Sequence, residues 1–464
     1  MTMKLLIKNL SAVLCDAAES IPGPVDIAIE DHDILEIGHN LAINDGSVID
    51  GSGCVAIPGL VNTHHHFYQT LTRAIPLMQN SGLFQWLVDH YKVWQELTRD
   101  AVYWSTLTAC AELMLTGCTL TTDHHYLFPE GESDLIGTQV QAAREIGIRF
   151  LATRGSMSVS EEDGGLPPRS VVQKEDVILE DSLRCIQSFH DPSETAMTRI
   201  ALAPCSPFSV SENLMRSSAD LARQYRVKLH THLAETLDEE KYCIRTFGCR
   251  PVDLMKRFDW LGSDVWFAHC VHLNESEIQL FADTGTSVAH CPSSNMRLGS
   301  GIAPIVELRS RGAPVGLAVD GSASNDSSNM LGELRQALFL QRVLKGARAM
   351  RVMDAFDMGT VGGARLLGFN RIGCLRPGWI ADLAMFRVDR IDFTGVHDPI
   401  AGLILAGTSS RADTVIVNGR ITVSNGRLVT GNEWEIRDQA SRIARLMVEK
   451  ATQRTGKQYN KPKS

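Results

Sequence analysis

The sequence predicts an α/β protein, a (β/α)8 TIM barrel joined to a small β-sandwich domain built from the N- and C-terminal segments. Eight apolar runs alternate with helix-like stretches through the middle of the chain, and short β-type runs broken by Gly, Asp and Asn lie at both ends. Alternating strands and helices are typical of parallel barrels, whereas short strands between turn residues are typical of antiparallel sheets.

Each central run begins with a continuous apolar or β-branched stretch, as expected for a parallel strand that is covered on both faces. The eight runs are GLVNTHHH, GCTLTTDHH, GIRFLATRG, RIALAPCSP, VKLHTHLAE, DVWFAHCVHL, TSVAHCPSS and APVGLAVDGS. Helix-like segments such as ENLMRSSADLARQYR and NMLGELRQALFLQRVL separate them. We therefore expect a barrel over residues 58–375, with its chemistry at the carboxyl ends of the strands.

The β-type runs at the two ends are too short to form independent domains. They occupy residues 1–57 and 376–430, and in the second segment Asn418-Gly419 and Asn425-Gly426 are typical of two-residue hairpin turns. We expect the two segments to pair into one composite β-sandwich domain. Residues 431–464 are expected to form a C-terminal helix and tail.

Composition narrows the classes of function. The chain has 464 residues, of which 44% are hydrophobic and 21% charged, which fits a folded enzyme. Its formal net charge is −9, and its Lys/Arg residues form no block apart from a weakly basic tail at 457–463. No nucleic-acid partner is therefore expected. No run is long and apolar enough for a membrane span, and the N-terminus lacks the cleavage site of a signal peptide. The eleven scattered cysteines favour a reducing, cytoplasmic location.

The strongest signal for chemistry is the triple histidine that closes the first barrel run. Residues two apart on a strand face the same side, so His64 and His66 point together into the barrel mouth while His65 points away. Two imidazoles on one face are half of a divalent-metal site. A His-x-His pair alone is a weak signal.

Three further strand ends strengthen the prediction of a metal site. His232 and Glu235 follow the fifth run, His269 lies in the sixth, and Asp320 follows the eighth. Protonatable residues at the rim of apolar strands are costly to bury without partners. The alternative is that these histidines are structural residues at the ends of the barrel strands, but this explains four separate strand ends poorly. We therefore predict that the strand ends converge on one site.

These motifs resemble those of the amidohydrolase superfamily, in the branch of nucleobase and heterocycle deaminases that also contains chlorotriazine hydrolases. The matching segments are PGLVNTHHH at 58–66, HLAE at 232–235, AHCV at 268–271 and VDG at 319–321. The resemblance extends over essentially the whole chain, including the divided β-domain.

The resemblance implies one divalent metal per chain, zinc or alternatively iron. The implied ligands are His64, His66, His232 and Asp320. Glu235 would carry protons between the attacking water and the ring nitrogen, and His269 and Asp320 would complete the catalytic group. A divalent metal lowers the pKa of water towards about 7, which agrees with hydrolysis at neutral pH.

The fourth barrel run bears on the number of metals. Binuclear members of the superfamily usually carry a carboxylated lysine at this strand end, but residues 203–207 read APCSP. One metal is therefore predicted. A Cys205 thiolate ligand is the alternative, and it is disfavoured because four ligands already satisfy a mononuclear site.

Four residues are candidates for substrate contact, namely Gln69, Cys205, Arg154 and Trp86. In similar deaminases the amide at the position of Gln69 contacts the ring, and an amide both donates to a carbonyl and accepts from an N–H. Cys205 stands where S-adenosylhomocysteine deaminases carry a sugar-contacting His, which leaves room for an oxidised bicyclic base. Arg154 either faces a substrate carbonyl or pairs with Asp123. Trp86 either covers the ring or anchors its loop.

The choice of substrate rests on resemblance. Residues 203–209, 290–298 and 320–326 are similar to the corresponding segments of 8-oxoguanine deaminases. The expected reaction is hydrolytic deamination of a 2-amino-4-oxo purine-like heterocycle, with 8-oxoguanine and water giving urate and ammonia. Deaminases of isoxanthopterin, pterin or guanine and hydroxytriazine aminohydrolases are the alternatives. A non-catalytic barrel is disfavoured because the ligand set is complete, and a homo-oligomer is expected.

Overall fold

The computed structural model describes residues 3–407 and 411–462. Residues 1–2, 408–410 and 463–464 lie outside the described residues, and with them small parts of the predicted terminal segments and of the basic tail. The N-terminal strands are β1 Lys4–Asp16, β2 Glu19–Glu30, β3 Asp33–Gly38, β4 Ser47–Asp50 and β5 Cys54–Pro58.

The eight apolar runs form one sheet of eight parallel strands, ordered as they occur in the chain. They are β6 Leu60–Asn62, β7 Cys118–His125, β8 Arg149–Ser156, β9 Thr198–Pro204, β10 Lys228–Leu233, β11 Val265–His269, β12 Ser287–His290 and β13 Val315–Leu317. All eight predicted strands are therefore confirmed, and the barrel fold with them.

Hydrogen bonds between the first and last strand regions close this sheet into a barrel. The backbone N–H of Thr63 donates to the carbonyl of Leu317 at 3.0 Å, and that of Asp320 donates to the carbonyl of His64 at 3.1 Å. This closure brings the end of β6 beside the end of β13, so His64 and Asp320 become neighbours although they are far apart in the chain.

The two terminal segments, which were expected to pair into one composite β-sandwich domain, share one sheet. Its C-terminal strands are β14 Leu383–Arg387, β15 Thr414–Val417, β16 Arg420–Ser424 and β17 Arg427–Leu428. The strand order is β17-β16-β15-β14-β5-β1-β2-β3, with β4 beside β1. The antiparallel pair β14–β5 joins the two segments, and the nine strands form one continuous, mostly antiparallel hydrogen-bonded set.

Both predicted hairpin turns are present. Asn418 and Gly419 connect β15 to β16 with φ of 51° and 76°, and Asn425 and Gly426 connect β16 to β17 with φ of 52° and 69°. Two consecutive positive φ angles define the turn that matches the twist of the flanking strands, and Asn-Gly adopts them at low cost.

Helices surround the barrel. They are α1 Leu83–Trp94, α2 Arg99–Leu115, α3 Leu135–Ile146, α4 Glu175–Phe189, α5 Glu212–Tyr225, α6 Leu237–Phe247, α7 Pro251–Arg257, α8 Glu275–Thr284, α9 Pro292–Arg297, α10 Ile305–Ser310, α11 Met330–Lys345, α12 Val352–Gly359, α13 Val361–Leu366, α14 Pro399–Leu405 and α15 Glu433–Thr455. The C-terminal helix α15 packs against α2 and α1. Among the described residues, no helix has the length and apolar composition to cross a membrane.

A buried ion pair joins the barrel to the terminal sheet. The guanidinium of Arg149 on β8 donates to both carboxylate oxygens of Asp382, at 3.1 and 3.2 Å, and both side chains are fully buried. The same carboxylate accepts the backbone N–H of Asn418 at 2.6 Å, and Arg149 also donates to the Asn418 side chain at 3.2 Å. One polar cluster thus connects a barrel strand, the start of β14 and the first Asn-Gly turn.

Candidate active site

A cavity lies at the carboxyl ends of the barrel strands. Its polar lining includes His66, His232, Asp320, Glu235, His269 and Gln69. Its apolar and aromatic lining includes Leu83, Trp86, Leu87, Tyr91, Tyr126, Phe208 and Leu298. The cavity therefore joins the predicted metal ligands to a largely apolar space suited to a flat heterocycle.

The predicted ligand atoms lie close together. The Nε2 atoms of His66 and His232 are 3.1 Å apart, and Asp320 Oδ1 lies 3.3 Å from His64 Nε2 and 3.4 Å from His66 Nε2. Donor atoms of a tetrahedral zinc site with bonds of about 2.0–2.1 Å lie about 3.3–3.4 Å from one another. The spacing fits a divalent cation.

Acceptors behind the rings set the tautomers of two of these histidines. His66 Nδ1 lies 2.8 Å from the carbonyl of His124, and His232 Nδ1 lies 2.6 Å from the carbonyl of Cys205. A carbonyl only accepts, so each Nδ1 carries the proton and each Nε2 keeps its lone pair. The lone pairs of His66 and His232 therefore face each other.

A third histidine obtains the same tautomer through a relay. His230 Nδ1 lies 2.8 Å from the Trp266 carbonyl and must donate to it, which leaves His230 Nε2 as an acceptor. His64 Nδ1 lies 2.7 Å from that Nε2 and donates to it. His64 Nε2 is consequently a lone-pair atom, buried and without a hydrogen-bond partner among the described residues.

Burial keeps these imidazoles neutral. It lowers the pKa of His64 well below its usual value, and it lowers the pKa of His232 to about 3. Neutral lone-pair nitrogens beside a carboxylate are the chemistry of a zinc site, and without a cation the facing lone pairs would repel. The residues present fit a divalent metal.

The carboxylate of Asp320 is held in one orientation by hydroxyl groups. Ser294 and Ser324 donate to Oδ2 at 2.5 and 3.0 Å, and the backbone N–H of Gly321 donates to Oδ1 at 2.6 Å. Burial alone would raise the pKa of Asp320, but its contacts with His64 and the charge of His269 hold the pKa well below the usual range. Asp320 is therefore an anion.

Glu235 and His269 form a second pair beside the ligand group. Glu235 Oε2 lies 3.7 Å from His269 Nε2, and Ser300 donates to Glu235 Oε1 at 3.2 Å. Burial, together with the charge of Asp320, raises the pKa of Glu235 although His269 opposes the shift. Burial lowers the pKa of His269, but Glu235 and Asp320 outweigh it, so that pKa is raised. Both groups are thus shifted towards holding a proton, as acid–base residues of active sites often are.

Three of the four predicted substrate-contact residues line the cavity, namely Gln69, Trp86 and Cys205. The Gln69 amide oxygen accepts the backbone N–H of Ala323 at 3.2 Å, which directs the amide. Burial raises the pKa of the Cys205 thiol to about 12. Among the described residues, Cys205 belongs to neither group of clustered ligand atoms, so the geometry does not support the thiolate-ligand alternative.

Arg154, the fourth candidate, is not among the residues that line the cavity. Its guanidinium donates to Asp181 at 2.6 Å and to Gln173 at 2.7 Å, and it lies 3.9 Å from the ring centre of Phe128. These contacts engage the donors that were expected to face a substrate carbonyl, so the geometry does not support the substrate role. Its ion-pair partner is Asp181 and not Asp123, because the Asp123 carboxylate accepts from a backbone N–H and a glutamine amide.

Sequence reasoning missed several residues around the site. His230 belongs to a second His-x-His pair, and the same period-two pattern that identified His64 and His66 could have found it. His124 stacks on His232 with ring centres 4.7 Å apart. Asn295 accepts from His269 Nδ1 at 2.9 Å, and the resemblance of residues 290–298 included it without indicating a role.

Glu239 is a further residue of the site that was not predicted from the sequence. Its carboxylate accepts the backbone N–H groups of Ala234 and Glu235 at 2.8 and 2.9 Å. These bonds hold the turn that follows β10, in which Ala234 has a φ of 51°. Glu239 therefore fixes the backbone that presents Glu235 to the cavity.

A (β/α)8 barrel with neutral imidazoles and a carboxylate gathered at its strand ends, beside a buried glutamate, is typical of metal-dependent hydrolases. Residues 55–422 match the model of the Amidohydrolase family, and the chain belongs to that family.

Its relatives include several enzymes that act on heterocycles. The chain is 49% identical to an 8-oxoguanine deaminase of Pseudomonas aeruginosa over 90% of its own length and 94% of the relative's. It is 32% identical to an isoxanthopterin deaminase of an unknown prokaryotic organism, with 96% and 97% covered. Among solved structures, an atrazine chlorohydrolase from Arthrobacter aurescens complexed with zinc is 34% identical and superposes with a TM-score of 0.90, over 95% of this chain and all of that one. The chain is thus an enzyme of the aminohydrolase type.

Proposed function

We propose that this enzyme deaminates a 2-amino-4-oxo purine-like heterocycle, and that 8-oxoguanine is its substrate, converted with water to urate and ammonia. The observation that carries the proposal is the single cavity that unites the imidazole and carboxylate group, Glu235 and the Gln69 amide. The 49% identity to an 8-oxoguanine deaminase over nine-tenths of the chain supports this choice of ring.

The proposed metal ligands are His64, His66, His232 and Asp320. A divalent cation held there supplies Lewis acidity that makes water nucleophilic near neutral pH. The chain's own contribution is a rigid set of lone pairs, since each histidine Nδ1 is committed to an acceptor behind it.

Glu235 is the proposed acid–base group. Its raised pKa allows it to take a proton from the attacking water and give it to the ring nitrogen beside the amine-bearing carbon. The water oxygen bonds to that carbon, and its remaining proton passes to the exocyclic amine. The bond from the carbon to that amine then breaks, a C=O group forms beside the protonated ring nitrogen, and ammonia leaves. His269, held by Asn295, faces both Glu235 and Asp320 and stabilises the charge that develops.

Gln69 is proposed to form hydrogen bonds with the lactam edge of the ring. Its amide oxygen already accepts from Ala323, which orients the amide so that its NH2 group can donate to a ring carbonyl. The carbonyl on the five-membered ring needs a separate donor. Cys205 and the Trp86 indole N–H, which has no hydrogen-bond partner among the described residues, are the candidates on the cavity wall.

The test is ammonia release across a panel of heterocycles. The panel comprises 8-oxoguanine, guanine, isoxanthopterin, pterin, isocytosine and hydroxytriazines. We expect kcat/KM for 8-oxoguanine to exceed that for guanine by about tenfold or more, because a site built around the extra carbonyl leaves a donor unpaired when that carbonyl is missing. Equal values for the two purines would refute this substrate, and a preference for isoxanthopterin would assign the enzyme to the pterins.

A further inference from the structure

Helix α1 has two faces with different partners. Its inner face forms one wall of the substrate cavity through Leu83, Trp86, Leu87 and Tyr91. These positions are three or four residues apart and therefore share one side of the helix. Gln85, Asp89 and Lys92 fall on the opposite side by the same spacing.

The outer face carries a buried carboxylate that is neutralised from the far end of the chain. The Asp89 side chain is only 1% exposed, and Lys457 Nζ lies 2.7 Å from its Oδ1. Gln85 donates to the other oxygen at 3.0 Å. Separating the two partners of a buried ion pair is unfavourable, so this pair couples the position of α1 to that of residue 457.

Other contacts from the same segment reach the neighbouring backbone. Arg454 pairs with Glu96 at 2.9 Å and donates to the carbonyl of Lys92, the last turn of α1. The Leu77 N–H, in the short turn before α1, donates to the carbonyl of Tyr459 at 3.3 Å. Tyr459 itself is buried at 1% exposure.

The end of α15 directs the chain onto this surface. Gly456 caps the helix with a φ of 70°, a left-handed conformation that turns the backbone out of the helical path. Residues 457–459 then lie against α1 and the turn that precedes it. Residues 454–459 are here called the C-terminal strap.

We propose that the C-terminal strap positions the substrate-binding wall of the cavity, and that Lys457 is a positioning residue that acts through Asp89 and α1. The strap contacts the outer face of α1, the backbone of its last turn, and the backbone of the separate turn at Pro76–Met78 that precedes the helix. Its loss frees α1 to shift, which displaces Trp86 and Leu87 while leaving the proposed metal ligands in place at the strand ends. This inference goes beyond the proposed function, because it concerns the wall and not the identity of the heterocycle.

The test uses Lys457→Met in the full-length, metal-loaded enzyme. We expect KM for the best substrate of the panel to rise about tenfold or more, while kcat changes by less than about threefold and metal content stays at the wild-type level. Lys457→Arg keeps the charge and should retain most of the wild-type KM. Lys450→Met, the same change at an exposed position of α15, is the matched control and should leave all three quantities unchanged.

A double variant separates a tether from a simple charge effect. In Lys457→Met with Asp89→Asn the carboxylate charge is removed as well, but the tether is still missing. A KM that stays high supports the strap, whereas recovery of the wild-type KM assigns the effect to the charge of Asp89 and overturns the proposal.

Amide hydrogen exchange gives a readout that does not depend on the substrate. In Lys457→Met, exchange should accelerate in residues 77–96 and stay at the wild-type rate in α5, on another side of the barrel. Unchanged exchange in residues 77–96, or a loss of kcat and metal together, would overturn the proposed positioning role of the strap. If 8-oxoguanine is not the substrate, the ammonia-release panel will show it, whereas the faster exchange of residues 77–96 in Lys457→Met will still be observed.

Discussion

At the scale of single residues, the proposed metal ligands depend on the residues behind them. His230 does not line the cavity, but its Nε2 accepts the Nδ1 proton of His64, and its own Nδ1 is committed to the Trp266 carbonyl. If His230 is absent, His64 loses the acceptor that selects its tautomer, and the Nε2 lone pair is no longer enforced.

We therefore expect His230→Phe to weaken metal affinity by about 10- to 100-fold, the usual effect of removing such a partner. Competition with a chelator of known affinity, followed by metal analysis, measures it. His397→Phe makes the same exchange at an exposed histidine and should have no effect. Wild-type affinity in His230→Phe would show that the relay is dispensable.

The outcome at individual positions shows what a sequence can and cannot reveal about a site. Period-two spacing places His64 and His66 on one face because strand geometry is regular, and the structure brings them together with His232 and Asp320. Arg154 is different, since a guanidinium at a strand end has partners on either side of the barrel wall. Only the packing of α4, which brings Asp181 beside it, decides between them.

At the scale of elements, the two Asn-Gly hairpins offer a matched comparison. Both glycines have positive φ, but a Cβ on Gly419 would lie 1.8 Å from the Asp31 carbonyl oxygen, whereas one on Gly426 would come no closer than 3.9 Å to any atom. Gly426→Ala should cost about 1 kcal/mol of unfolding free energy from backbone strain. Gly419→Ala should cost at least about 1 kcal/mol more, because the β2–β3 turn must also move.

Urea unfolding of the metal-loaded protein measures both hairpin variants under the same conditions. The difference between the two losses of unfolding free energy measures the effect of the close contact between the Gly419 turn and the β2–β3 turn. Equal losses would show that the β2–β3 turn yields without cost.

The strands were more predictable than the helix that walls the cavity. Buried parallel strands are continuous apolar runs, and all eight central runs became barrel strands. The terminal hairpins followed from local turn chemistry. The seating of α1 could not be predicted, because it depends on Asp89 meeting a lysine that is more than 350 residues away, and no local pattern encodes that pairing.

At the scale of the whole molecule, the polar cluster around Arg149 connects the barrel with the terminal sheet. Arg149→Met leaves the Asp382 carboxylate buried without its counter-charge, and we expect a loss of about 3–5 kcal/mol in unfolding free energy. Arg149→Met with Asp382→Leu should recover part of this loss, since no charge is then stranded. The exposed pair Arg387–Asp389 is the control, and Arg387→Met should cost about 0–1 kcal/mol.

Calorimetry or urea titration measures these three variants. If Arg149→Met is as mild as Arg387→Met, the terminal sheet does not depend on this ion pair for its attachment.

The closure of the barrel between β6 and β13 has a consequence for how the enzyme matures. Two of the proposed ligands, His64 and Asp320, lie just beyond the ends of the first and last barrel strands and meet only when the barrel is closed. During synthesis the ribosome must release the chain well past residue 320 before both can coordinate one ion. An emerging chain therefore lacks the complete set of proposed ligands, and we expect a cation held by all four to be inserted late, after the barrel has closed.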